Sequence, residues 1–419
     1  MILQIDTFHV KSACFDRKTY FADGVLHINR TELRERINQT QFAELYIDLA
    51  FPGESCRISR VGDVIQPRVK PDAPEQTFPG MIGEMAQAGA GRTVSLDGFA
   101  VIETWEMPAA TQSFIDMSGP GAFYTPFSGT INLVISAVPE YETPREEYAA
   151  AIKRASLGAS VFLASQAIGM EPDEREVFEF SSDAGEACAG LPRVAYIYQI
   201  FSHRPLLEPL FYGDSCRGML PTAIQPTEIL DGALINYCYE ETHNLDTTYT
   251  ILNHPVIREL MARNGKDLVF AGVILKNAPS SQEDKNRMAR MAATQAKYLF
   301  NADAVILTKE GGGHPQLDLA ICCEQCEKLG VRTVLLLTEF LTTDGDKEET
   351  LIFNNRCADA IVSAGYSEMV EFPPVEKVYG GDTIPDVSVS MHDGFSARCK
   401  LVRGSMSQLG DSRLTSREL

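Results

Sequence analysis

Cysteine is the residue type in this chain most able to do chemistry. Ten thiols are scattered over 419 residues: Cys14, Cys56, Cys188, Cys216, Cys238, Cys322, Cys323, Cys326, Cys357 and Cys399. A thiol acts as a nucleophile or metal ligand only when its ionised form is favoured, and otherwise behaves as a small hydrophobe. Cys322, Cys323 and Cys326 invite a metal reading, yet no second Cys or His pair stands at zinc spacing. On a helix Cys322 should point away from a face shared by Cys323 and Cys326, so the expectation is buried free thiols and no metal. Cys238 is followed by His243 and His254, 5 and 16 residues later. A thiol nucleophile activated by one of these histidines is one reading, although the spacing matches no thiol-hydrolase signature. Taken alone, Cys238 reads as a buried structural thiol.

Two glycine-rich segments could hold a ligand. In Asp116-Met-Ser-Gly-Pro-Gly-Ala-Phe-Tyr-Thr-Pro-Phe-Ser128, the residues Gly119, Pro120 and Gly121 force a tight turn. Its amides could form an anion nest, with Ser118, Tyr124 and Thr125 as polar handles. A purely structural Gly-Pro turn accounts for the same residues. Gly311-Gly312-Gly313-His314-Pro315 falls between a predicted strand and a helix whose first turn carries Pro315. Ligands collect at that edge of an open α/β sheet, which makes Gly312 and His314 binding candidates. A plain βα connection is the alternative, and the pattern is neither a phosphate loop nor G-x-G-x-x-G.

The elements that must position these residues follow from periodicity. Short mixed runs at Tyr20–Ile28, Glu44–Phe51, Phe99–Thr104 and Ile131–Val138 predict strands. Four prolines between 65 and 80 make that stretch irregular. Apolar residues at helical spacing from Glu147 to Ile168 predict a helix capped by Gly169. Val194–Phe201 reads as a buried strand. From Asp267 the chain alternates: strand 267–275, helix 283–300, strand 304–308, helix 315–329, strand 332–337 and strand 359–363. Such alternation predicts a parallel sheet flanked by helices. The expected fold class is α/β: a strand-rich, then mixed, piece over 1–237 and a parallel, Rossmann-like piece over 238–419 that begins near Cys238. The polar residues after Gly404 are expected to be loose.

Composition narrows the function. A net charge of −20 argues against nucleic acid or an anionic membrane as partner. Scattered cysteines in a chain long enough to build a core point to a reducing, cytoplasmic setting. No signal peptide is visible, and the apolar runs fall far short of a membrane span.

Several blocks, in order along nearly the whole chain, resemble one family. They are Phe51-Pro-Gly-Glu-Ser-Cys-Arg-Ile58, Asp63-Val-Ile-Gln-Pro-Arg-Val-Lys70, Phe78-Pro-Gly80, Gly91-Arg-Thr93, the Asp116–Ser128 block, Pro221-Thr-Ala-Ile-Gln-Pro-Thr-Glu-Ile-Leu-Asp-Gly-Ala233, Asn264-Gly-Lys-Asp267 and Glu310-Gly311. Together they resemble the glycine/sarcosine/betaine reductase component B proprotein, and more distantly the D-proline reductase proprotein. The resemblance implies cleavage on the amino side of Cys238, which becomes an N-terminal pyruvoyl group. The family carries Asn directly before this cysteine; here Tyr237 stands there and Asn236 one place earlier.

That chemistry has definite requirements. The Cys238 sulfur must attack the Tyr237 carbonyl, and elimination must then release the upstream chain. Asn236, Asp231, Thr222 and Thr227 are the nearby polar candidates for assisting. The resulting ketone can condense with a small amine and weaken its Cα–N bond, which a quaternary amine does not permit. The resemblance implies that a selenocysteine- or cysteine-bearing subunit and downstream reductase components complete the reaction in a hetero-oligomer. No nucleotide or metal is expected. An uncut relative serving as a scaffold, and a thiol enzyme using intact Cys238, are the alternatives.

Overall fold

The computed structural model describes residues 1–109, 111–181, 188, 190–242, 245–339, 356–412 and 417–418. The alternating rear of the chain forms the parallel sheet that its periodicity predicts. Strand order is Thr222–Ile224, Val269–Ala278, Arg193–Phe201, Ala304–Lys309, Arg332–Glu339, Ala360–Tyr366 and Arg417–Glu418. The five inner strands are parallel and the two outermost are antiparallel to their neighbours. Every residue of Val269–Ala278 is buried, as a strand covered on both faces requires.

Helices Gln282–Thr294 and His314–Lys328 cover one face. The first is capped by Ser281, whose hydroxyl accepts the Asp284 N–H, and carries Glu283 and Asp284 in its positive first turn. Its predicted continuation to Phe300 is a π-helical turn, Gln295–Leu299. The second helix buries Cys322, Cys323 and Cys326 together. This corrects the expectation for Cys322: at i and i+4 it shares a face with Cys326, and the two thiols interact. No cluster able to hold a metal occurs among the described residues.

The front of the chain forms a mixed sheet ordered Ser113–Asp116, Cys56–Ile65, Phe99–Thr104, Ile131–Pro139 and Phe42–Ala50. A second sheet contains Glu174–Glu179, Ile2–His9, Gly91–Asp97 and Arg68–Val69. Helix Arg145–Ser165 packs on the apolar core of this half. The strand expected at Tyr20–Ile28 is instead a hairpin, Tyr20–Ala22 and Val25–Ile28, turned by Asp23 and Gly24 at φ 52° and 78°.

Two further expectations are corrected. The parallel sheet begins well before Cys238, because its strand Arg193–Phe201 lies between Val269–Ala278 and Ala304–Lys309. Conversely, the late strand Lys377–Tyr379 pairs with Cys56–Ile65 of the front sheet. The residues directly after Gly404 are not loose: Ser405 to Leu409 are buried, with Ser407 donating to Asp246 and Lys309 donating to Gln408, while 413–416 and 419 lie outside the described residues. No helix among the described residues is long and apolar enough to cross a membrane.

Candidate active site around Cys238

Cys238 lies on the irregular connection after strand Leu234–Ile235, at the carboxyl end of the parallel sheet. It is 0% exposed and packs with Phe201, Leu207 and Leu245. Phe201 ends its strand, and Glu310 immediately follows the neighbouring one. This is the edge where open α/β sheets place their chemistry.

The backbone on both sides of Cys238 is pinned. The Asn236 side-chain oxygen accepts the Cys238 N–H at 3.2 Å, and the Asn236 N–H donates to the Thr248 hydroxyl at 3.1 Å. Thr248 in turn donates to Asp63 through its N–H, at 2.8 Å, and its hydroxyl. On the other side, Tyr239 stacks on Trp105 with centroids 4.6 Å apart, and its hydroxyl donates to Glu103 at 2.6 Å. The Tyr239 N–H donates to the Leu206 carbonyl at 2.9 Å. Gly62 makes room for this ring: a Cβ there would lie 2.9 Å from Tyr239 Cε1.

Beneath these pins is a buried charge triad. The Lys153 ammonium lies 2.6 Å from Asp63 and 2.8 Å from Glu103, and all three side chains are 0% exposed. Burial opposes the Lys153 charge, but the two carboxylates outweigh it and raise its pKa. Burial also raises the Glu103 carboxyl.

The chamber holds two acids and one guanidinium. Glu310 accepts the Tyr198 hydroxyl at 2.9 Å and the Phe201 N–H at 3.0 Å. Asp246 accepts Ser407 on one oxygen, while its other oxygen is buried without a hydrogen-bond partner. Burial raises Glu310 to about 7 and, with help from the Glu310 charge, Asp246 to about 8. Arg403 donates to the carbonyls of Thr242, Leu245 and Gly62, and its Nε has no hydrogen-bond partner. The Asn236 amide nitrogen is likewise buried and unpartnered. Burial, then the Glu310 charge, push the Cys238 thiol up. Such orphan polar atoms cost free energy in a finished core, and three of them belong to Asn236, Asp246 and Arg403, on segments next to Cys238 or its neighbour Leu245.

Beside the chamber opens a cleft of about 330 Å³, lined by Tyr237, Leu206, Glu208, Arg154 and Arg217 among others. Tyr237 and Leu206 therefore separate Cys238 from solvent.

The residues picked out from sequence do not all come together. Tyr237, Cys238 and Asn236 are together. Asp231 instead receives Gly89 N–H and the Thr93 hydroxyl, at 2.7 and 2.6 Å, and pairs with Lys70. Thr227 lies in the short helix Pro226–Leu230 and contacts Met1, while Thr222 is exposed and bonds the Leu220 carbonyl. Gly312 and His314 sit on the chamber's sheet edge, with the His314 ring 6.1 Å from His203, itself against Phe201. Gly311 admits no Cβ, which would lie 2.7 Å from the Phe201 ring.

The Ser118–Thr125 segment does structural duty in the contacts it makes. A Cβ on Gly121 would meet Asp116 at 2.5 Å, and Asp116 forms a two-pronged buried pair with Arg57. Gly119 faces Pro373, Tyr124 donates to Glu368 at 2.7 Å, Thr125 accepts the Phe127 N–H, and Ser118 starts the short helix without capping it. These contacts join the front sheet to the tail. His254 caps helix Pro255–Arg263 with one ring nitrogen and meets Tyr196 at 3.2 Å with the other; burial lowers it to about 3. His243 lies outside the described residues.

Sequence reasoning gave no site role to Glu310, Asp246, Arg403, Asp63, Thr248, Glu103 or Lys153. Only Glu310 carried a usable signal, as a carboxylate just past a predicted parallel strand.

The sequence is similar to known proteins over nearly its whole length. A family model described as glycine/sarcosine/betaine reductase component B subunits matches residues 1–407. The glycine reductase complex component B subunits alpha and beta of Peptoclostridium acidaminophilum are 33% identical over the full length of both chains. From the same organism, the sarcosine reductase complex component B subunit alpha is 34% identical, again over both full lengths. Its betaine reductase counterpart is 33% identical over 91% of this chain and 88% of its own. No solved structure gives a significant match. The chain therefore belongs to the family of glycine/sarcosine/betaine reductase component B subunits.

Proposed function

We propose that the Tyr237–Cys238 bond breaks in the folded protein and that Cys238 becomes a pyruvoyl group used to activate a small amine for reductive C–N cleavage. The observation that supports this is the state of Cys238: fully buried, with its flanking backbone fixed by Asn236 and Tyr239, and with the adjacent Asn236 amide nitrogen left without a hydrogen-bond partner. An ordinary core thiol needs none of this.

The residues present fit such a group. The Asn236 amide and Arg403 Nε are free donors for a carbonyl oxygen in the chamber. The ketone supplies an electrophile that ordinary side chains lack. Asn236 orients the bond to be broken, Tyr239 and Trp105 hold the new amino-terminal end in place, and Leu207 with Phe201 keeps water out. Opening at Tyr237 would connect the chamber to the cleft of Arg154, Glu208 and Arg217, whose mixed charges suit a small zwitterionic amine. The named relatives are component B subunits of glycine, sarcosine and betaine reductase complexes. The nucleophile that accepts the carbon fragment then comes from a selenocysteine- or cysteine-bearing partner subunit in the cytoplasm.

The test is the intact mass of the mature protein. The expected result is two fragments, Met1–Tyr237 and Cys238–Leu419, with a carbonyl-reactive probe on the second alone. Cys238→Ala should remain full length and lose reductase activity in the assembled complex. A single unbroken wild-type chain that supports activity would overturn the reading and leave Cys238 as an uncut thiol.

A further inference from the structure

Breaking the Tyr237–Cys238 bond moves protons at four points, and the chamber excludes the bulk water that could otherwise carry them. The acceptors must therefore be side chains in or against the chamber. Phe201 and Leu245 both pack on Cys238. The Phe201 N–H is bonded to Glu310, and Leu245 is followed directly by Asp246. Both carboxyl groups are at least nine-tenths buried, and one Asp246 oxygen has no hydrogen-bond partner. The other Asp246 oxygen accepts the Ser407 hydroxyl of the tail. Arg403, donating to the Leu245 carbonyl, supplies one positive charge near the two acids. Two buried acids against one cation favour a shared proton: one group neutral, the other ionised.

We infer that Glu310 and Asp246 form the proton relay of processing at Cys238, an inference that rests on the cleavage proposed above. The ionised member takes the thiol proton as sulfur bonds to the Tyr237 carbonyl carbon. The C–N bond then breaks, and the pair returns that proton to the Cys238 nitrogen, leaving a thioester and a free amine. Next the ionised member takes the Cys238 Cα proton. The Cα–H electrons form a Cα–Cβ double bond, and the Cβ–Sγ bond breaks with its electrons on sulfur, so Tyr237 departs as a thiocarboxylate. The pair then protonates Cβ, and one water converts the resulting iminium to the ketone and ammonium, whose charge balances the thiocarboxylate. No oxidant or reductant is consumed, and the pair ends as it began.

The experiment follows full-length chain by intact mass after synthesis, in wild type, Glu310→Gln and Asp246→Asn. Both amides preserve shape, and the amide oxygen in Glu310→Gln still accepts the Phe201 N–H. Each substitution should slow fragment appearance by at least about 100-fold, the usual contribution of a positioned acid or base. Near-ultraviolet circular dichroism checks the fold. A second measurement separates relay from scaffold: Asp246→Glu, which restores a carboxyl group, should process faster than Asp246→Asn. Folded amide variants that are cut at the wild-type rate, or an Asp246→Glu variant no faster than Asp246→Asn, would overturn the relay. An uncut wild-type chain would instead sink the cleavage on which it rests.

Discussion

The Asn236 side-chain oxygen accepts the backbone N–H of Cys238, two residues on, at 3.2 Å. This local turn sets the direction in which the chain enters Cys238, because an Asn oxygen bonded two residues ahead mimics a backbone turn. Asn236→Ala should slow processing by roughly 10- to 100-fold through loss of orientation, whereas Asn236→Asp, which retains the acceptor, should be milder. Quantifying full-length chain against fragments by mass over time checks the order.

Tyr239 fixes the other side, and its ring lies against the backbone at Gly62. An added methyl at Gly62, 2.9 Å from the ring, must push Tyr239 off Trp105 or bend the strand. Gly62→Ala should cost about 1–3 kcal/mol, as overpacking does in rigid cores. Urea unfolding followed by the single tryptophan, Trp105, reads both the loss and the altered stacking.

Lys153 bridges Asp63 and Glu103. Lys153→Met would leave two buried carboxylates facing one another, at a cost of about 3–5 kcal/mol. Adding Asp63→Asn to that variant should recover part of the loss, because it removes one uncompensated charge. A double variant no more stable than Lys153→Met in denaturant melts would contradict this account.

The strand Arg193–Phe201 precedes Cys238 in the chain but is hydrogen-bonded on both sides by strands that follow it. Cutting at Cys238 would therefore leave this strand held between two strands of the other fragment. The fragments should co-elute in size exclusion at all salt concentrations, since backbone pairing and apolar burial are not screened. They should separate only in denaturant.

The sheet was legible because buried parallel strands and their covering helices write long apolar runs of the right length. The strand Arg193–Phe201 was predicted, but its membership of the rear sheet was not, since hydrogen-bond pairing leaves no trace in composition. The tail was misjudged for a related reason. Ser405, Ser407 and Gln408 are polar, yet they are buried, and Ser407 and Gln408 bond Asp246 and Lys309. Cys238 was found through resemblance alone. The acids and the arginine around it arrive from residues 246, 310 and 403, a convergence that only the folded chain creates.

The same buried groups make stability depend on pH from both sides. Glu310 and Asp246 hold their protons to about 7 and 8, against ordinary values of 4.5 and 3.8. Between those values the unfolded chain has released protons that the folded protein retains. Their contribution is thus complete below about pH 4 and is lost progressively as pH rises, until it is gone above about 7 and 8. For Asp246 the full span is worth roughly 5 kcal/mol, and the two acids do not add because each titrates in the field of the other. His254 works in the opposite sense. Burial lowers it to about 3 from 6.5, so the unfolded state takes up a proton first and stability falls as pH drops below 6.5. The two limbs overlap and oppose each other between about pH 4 and 6.5, so denaturant unfolding of Cys238→Ala, which keeps the chain in one piece, should show the loss most plainly as pH rises from about 6.5 to 8. Asp246→Asn should flatten the alkaline limb and leave the acid limb in place. His254→Asn, which can still cap its helix, should do the reverse. An alkaline limb unchanged by Asp246→Asn would mean that this carboxyl is already ionised in the fold, and the shared-proton arrangement with Glu310 would fall with it.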